Sequence, residues 1–154
     1  MTLHSYKDLD VWKRAVDLDV MADQLGDHLL RARKYAMADQ LARAAISVPS
    51  NIAEGNGRVH TAEYAHHLSI SRGSRLEVES ILYVAIRAKR LDESQCAAAF
   101  ELIDFVGRML TNLLKAFQRR LRVGRRVSDS PRADVTSVSR ESASSRPRSR
   151  RSEA

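Results

Sequence analysis

The sequence predicts an all-α fold, an antiparallel up-down-up-down four-helix bundle followed by a disordered basic C-terminal tail. Three observations predict it. Apolar residues recur at helical period in four segments joined by short polar connections. Three Pro and six Gly are all that interrupt 154 residues, and Ala and Leu are frequent, which favours helices over strands. Beyond about Val123 the periodicity stops, and Ser and Arg dominate to the end. The expected division is a helical domain over residues 1–121 and a tail over residues 122–154, a length that suits one core of modest size.

The first helix is expected from about Asp8 to Leu30. Val11, Ala15, Leu18, Ala22, Leu25 and Leu29 form its stripe, Leu9, Trp12 and Val16 widen it, and Asp8 or Asp10 serves as N-cap. Arg31, Arg33 and Lys34 make a basic connection. The second helix takes Tyr35 to about Gly55, with Leu41, Ala45, Val48 and Ile52 on one face and Gln40, Arg43, Ser47, Ser50 and Glu54 on another. Pro49 has no amide hydrogen and its ring crowds the carbonyl of Ala45, so the helix is expected to kink there or to stop and restart. Asn51 with Glu54 three residues on looks like a capping box for the restart. The Ser47 and Ser50 hydroxyls are expected to bond the carbonyls freed at the kink. Gly55-Asn56-Gly57 should end the helix through a left-handed C-cap.

The third helix is expected from Thr61, with Thr61 or His60 at its mouth, to about Lys89. If the second and third helices form a hairpin about residue 58, Ser69, Ser71, Gly73 and Ser74 oppose Ala44, Ala45 and Ser47. Small faces then permit close approach, with Gly73 in the contact and Arg43 near Glu77. The fourth helix should open at Asp92 or Ser94 and run to about Leu121. Ile103, Val106, Leu110, Leu113, Phe117 and Leu121 form its apolar seam, with Arg108, Lys115, Arg119, Arg122 and Arg126 on the opposite side.

The segment QLARAAISVPSNIAEG (Gln40 to Gly55), then Glu63-Tyr64 and RGSRLEVESIL (Arg72 to Leu82), resembles the bacterial four-helix-bundle family encoded in intervening sequences of 23S ribosomal RNA genes. The opening YKDLDVWKRAVDL (Tyr6 to Leu18) is similar to that family's start, and the likeness spans roughly Tyr6 to Leu121. A second branch of the family is the accessory variability protein of diversity-generating retroelements. The resemblance implies a homopentamer that binds nucleic acid and, in that branch, a reverse transcriptase as partner.

The formal net charge of +7 is unevenly held. Residues 1–118 carry 15 Lys and Arg against 15 Asp and Glu, whereas residues 119–154 carry 11 Arg against four acids. The body is neutral, and the basic character belongs to the C-terminal end and to local patches. No run of 18 apolar residues exists to span a membrane, and the N-terminus lacks a signal-peptide layout. One cysteine, Cys96, excludes an internal disulfide, in keeping with an expected cytoplasmic location.

Catalytic chemistry finds no constellation. No GxSxG elbow or glycine-rich phosphate loop is present. His66 and His67, being adjacent, diverge on a helix, and with His60 they lack the i, i+4 spacing of a metal pair. Neither an enzyme nor a cofactor is therefore expected. Glu54 is either an exposed or N-terminal capping carboxylate, or a partly buried group tied to the third helix or to a neighbouring subunit. The expected function is a non-enzymatic, self-associating bundle that binds nucleic acid, RNA favoured, through backbone charge. Lys115, Arg119, Arg122 and Arg126 are the first candidates and Arg43, Arg72 and Arg75 the second. The alternative is a scaffold that engages a protein such as a reverse transcriptase.

Overall fold

The computed structural model describes residues 5–128, with side chains to residue 122. A 3-10 turn, Tyr6–Asp8, leads into α1 (Asp10–Arg31), α2 (Tyr35–Asn56), α3 (Thr61–Arg87) and α4 (Glu93–Ser128). Each helix packs on its chain neighbours and α4 closes on α1, so α1 and α3 sit on one diagonal and α2 and α4 on the other. This is the expected antiparallel bundle. The part of the expected tail beyond residue 128 lies outside the described residues.

Two layers of buried side chains fill the interior. Near the α1–α2 and α3–α4 connections, Leu25, Leu29, Leu41, Leu82, Cys96 and Ile103 pack together. At the other end Val11, Val48, Ile52, Leu68, Val106 and Leu110 do so. Each fully buried Leu or Ile contributes about 1.5–3 kcal/mol by leaving water, and the helical spacing of these residues is what brings them to one place. Cys96 is fully buried. Burial, and then the charge of Asp92, push its thiol above the ordinary range. The unfolded thiol ionises first as pH rises past about 8.5, so its raised folded value lowers stability above that pH. Stability should fall between about pH 8 and 10 less steeply in Cys96→Ala than in the wild type, and a thiol reagent should label Cys96 only on unfolding. Rapid labelling of the native protein would contradict the burial.

Several local expectations are corrected. The N-cap of α1 is Leu9, with no side-chain cap; Ser5 instead caps the 3-10 turn, through its hydroxyl and the Lys7 amide at 3.3 Å. His60, not Thr61, is the N-cap of α3, and it too lacks a side-chain bond. Gly57 caps α2 at φ −76°, in the right-handed region, so no left-handed glycine ends that helix. The left-handed positions are Arg33 and Lys89, both at φ 56°.

α2 passes through Pro49 unbroken, so nothing restarts and Asn51 is no cap. The Asn51 amide donates back to the Ser47 carbonyl at 2.9 Å and to the Ser47 hydroxyl at 3.1 Å. From α3, Ser71, fully buried, donates to the Val48 carbonyl at 2.9 Å, and Ser74 donates to the Ser47 hydroxyl at 2.8 Å. These bonds reach the Ser47 and Val48 carbonyls, not that of Ala45, which Pro49 frees; the hydroxyls of Ser47 and Ser50 do not make the expected bond to it, and Ser47 accepts instead. The α2–α3 contact is small and polar as expected, but Gly73 is outside it: a Cβ there would meet nothing within 4 Å. Gly73→Ala should raise stability by about 1 kcal/mol through helix propensity alone. A lowered urea midpoint in that variant would show that position 73 is packed.

Gly55 is the glycine that closes the hairpin. A Cβ there would lie 2.5 Å from Cδ2 of Tyr64 and 3.0 Å from Cβ of His67. Tyr64 in turn packs on Phe117 of α4 with ring centroids 4.5 Å apart.

Candidate nucleic-acid interface

α4 is the longest helix, and its length follows from its composition. At 1.5 Å per residue its 36 residues span about 54 Å, against about 33 Å for the 22 residues of α1. Its seam is buried at Ile103, Val106 and Leu110, half-buried at Leu113 and Phe117, and exposed at Leu121. The end of α4 therefore runs beyond its neighbours, and it continues past the expected Leu121 to Ser128.

Arg108, Lys115, Arg119 and Arg122 are all exposed on α4, as the spacing predicts. From Phe105 to Ser128 the chain holds seven Lys and Arg and no acid. Among the described residues Lys115, Arg119, Arg120 and Arg122 have no ion-pair partner. Arg120 lies over Phe117 at 5.7 Å, and Arg108 shares the exposed ring of Phe105 with Arg14 of α1, at 5.8 and 5.9 Å. A cation–π contact of this kind holds the cation at the surface without neutralising it. The side chain of Arg126 lies outside the described residues.

The second-choice cations fall in other settings. Arg43 pairs with Asp39 on its own helix at 2.6 Å and donates to Gln40 at 2.7 Å; Gln40, not Arg43, bonds Glu77. α2 lies diagonally across the bundle from α4, so Arg43 is not part of the α4 surface. Arg72 is exposed on α3. Arg75 is turned inward, its side chain 11 % exposed. Its Nη1 donates to the Ile103 carbonyl at 3.2 Å and pairs with Glu79 at 3.4 Å. Gly107 of α4 leaves the slot it needs, since a Cβ there would come within 3.1 Å of the guanidinium. Its Nε is buried without a partner among the described residues. The sequence carried that signal, because Arg75 continues the stripe of Leu68, Ser71, Val78, Leu82 and Ala85.

Glu54 is exposed, beside His67 of α3. His67 Nδ1 lies 3.6 Å from its carboxylate and 3.1 Å from the Asn51 side-chain oxygen. The exposure of Glu54 agrees with its first reading, an exposed carboxylate, and the hydrogen bond of His67 across to α2 goes to Asn51. His66 and His67 do not diverge as expected: their rings stand 6.1 Å apart, edge to face. Among the described residues no three His, Cys, Asp or Glu gather as a metal site, and no helix is long and apolar enough to cross a membrane.

A family model described as 23S rRNA-intervening sequence protein matches residues 7–112. Among solved structures, the chain is similar to a protein of unknown function from the S23 ribosomal protein family of Bacteroides thetaiotaomicron. That similarity is 22 % in identity over 68 % of this chain and 98 % of the other, with a TM-score of 0.65, and it shows a shared fold. No curated protein matches the chain.

Proposed function

The chain belongs to the 23S rRNA-intervening sequence protein family, and from that premise we propose a non-enzymatic, self-associating bundle that binds RNA through the outward face of α4. The observation that carries this reading is the exposed, acid-free run of cations from Arg108 to Arg122 on a helix that outreaches its bundle. Each phosphate such a face neutralises releases counterions, and affinity then falls steeply with salt. Self-association is supported by α3, which carries Ile70, Leu76 and Val84 exposed on the side away from its core residues. A single 154-residue chain leaves that apolar face in water. A homopentamer is the assembly the resemblance implies, and repeating the α4 cations around a ring would multiply the potential of a neutral body. The same α3 face is what favours the second reading, a scaffold for a protein partner such as a reverse transcriptase.

The test is an RNA titration of the wild type and of Arg119→Glu/Arg122→Glu across a salt series, with molar mass by light scattering. Binding lost at unchanged oligomer mass supports the proposal. A monomeric wild type, or full affinity in the variant, overturns it in favour of the scaffold.

A further inference from the structure

The opposite end of the bundle repeats one motif. Arg31-Ala32-Arg33-Lys34 closes α1, and Arg87-Ala88-Lys89-Arg90 closes α3, each beginning with the last residue of its helix. Both segments fold alike. The Lys34 amide bonds the Leu29 carbonyl at 2.8 Å and that of Arg33 bonds Leu30 at 2.9 Å; Arg90 bonds Ala85 at 2.9 Å and Lys89 bonds Ile86 at 2.9 Å. These are two Schellman caps, whose left-handed position is ordinarily glycine. Here the position holds Arg33 in one and Lys89 in the other, each at φ 56°. A side chain there strains the backbone, and strain kept at matched positions points to a use for the side chain. Cations do favour a helix C-terminus, but the neighbours at the last turn, Arg31 and Arg87, already supply that charge.

The first cap borders an open hollow of about 820 Å³ lined by Arg33, Lys34, Tyr35, Gln40, Ser80 and Val84, and Arg87 of the second borders another, of about 810 Å³, that shares Ser80 and Val84 with it. Tyr35 is 63 % exposed beside the first hollow, and Tyr83, on the adjoining surface, is 54 % exposed. None of the six cations has an ion-pair partner among the described residues, although Asp27, Asp92 and Glu93 are close in sequence. Paired basic loops beside exposed tyrosines unite phosphate attraction with a face on which bases can stack.

We propose that this loop end is a second RNA-contacting surface, separate from α4, which takes single-stranded RNA with its phosphates on the twin basic caps and a base on Tyr35. The proposal rests on the reading of the chain as an RNA-binding protein. The experiment measures binding of a labelled single-stranded RNA of about 12 nucleotides, and of a duplex of the same length, across a salt series. Wild type, Arg33→Gly/Lys89→Gly, Tyr35→Ala, Tyr35→Phe and Arg119→Glu/Arg122→Glu are compared. The glycine pair should bind the single strand about tenfold more weakly, with the salt slope reduced by about 1, while melting a few degrees higher because the strain is gone. Tyr35→Ala should lose about tenfold on the single strand and nothing on the duplex, and Tyr35→Phe should restore it. Affinity lost together with melting temperature would make these cations helix caps and overturn the proposal. So would equal losses on duplex and single strand, or loss confined to the α4 variant, which would leave the α4 reading standing. Loss confined to the glycine and Tyr35→Ala variants would support the loop surface and overturn the α4 reading, and a wild type that binds neither RNA would overturn both.

Discussion

Reversing Arg119 and Arg122 to Glu should weaken RNA binding by about two orders of magnitude or more at physiological salt and leave the assembly intact. The described cations of the α4 stripe, Arg108, Lys115, Arg119 and Arg122, number four, and the double substitution takes that face from +4 to 0. Binding to a phosphate backbone scales with the number of phosphates neutralised, so the salt slope should flatten along with the affinity. Stability has little reason to change. Both side chains are exposed and without ion-pair partners among the described residues, and isolated surface charges contribute little to folding. A variant that keeps full affinity would move the interface elsewhere, and one that binds weakly only because it has dissociated would transfer the effect from charge to assembly.

The bundle was legible because its information is periodic. The apolar stripes of α1 and α4 repeat over five or more positions, as read from Val11 to Leu29 and from Ile103 to Leu121. Features set by one neighbour were not legible. Pro49 reads from local rules as a kink or a stop and restart, and the helix does not stop, since it forfeits only one backbone bond, that to the Ala45 carbonyl. From sequence Gly55 reads as part of a helix stop and Gly73 as a packing glycine, and the structure reverses the two. Gly73 faces solvent and Gly55 the ring of Tyr64.

Among candidate binding residues, the α4 stripe followed from helical period, because exposure opposite an apolar seam is geometry the sequence dictates. Arg75 was misjudged for want of the same test, as its phase places it on the buried stripe of α3. The twin caps were also visible as two Arg-Ala-cation-cation strings. What the sequence could not give was that both adopt the left-handed turn without glycine, and that antiparallel pairing of the helices sets them at one end.

Gly55→Val should destabilise the fold by about 3 kcal/mol, against a gain of about 1 kcal/mol for Gly73→Ala in the same protein. Propensity alone makes valine slightly better than glycine in a helix, so the sign rests on the clash. A Cβ at position 55 would stand 2.5 Å from Tyr64 Cδ2 and 3.0 Å from His67 Cβ. The His67 Cβ is fixed to the α3 backbone and cannot rotate away. The Tyr64 ring cannot move without leaving Phe117, which it meets at 4.5 Å. Tyr64 on Phe117 is the packing contact nearest the point where the seam of α4 runs out to the exposed Leu121. Displacing it should loosen the end of α4 before the rest of the bundle, and with it the placement of Lys115 and Arg119. Urea unfolding should show the loss in midpoint, and hydrogen exchange should quicken first around Leu113 to Phe117. A midpoint equal to that of the wild type would mean that the α2–α3 turn can open without cost, and that Gly55 has no part in holding α4.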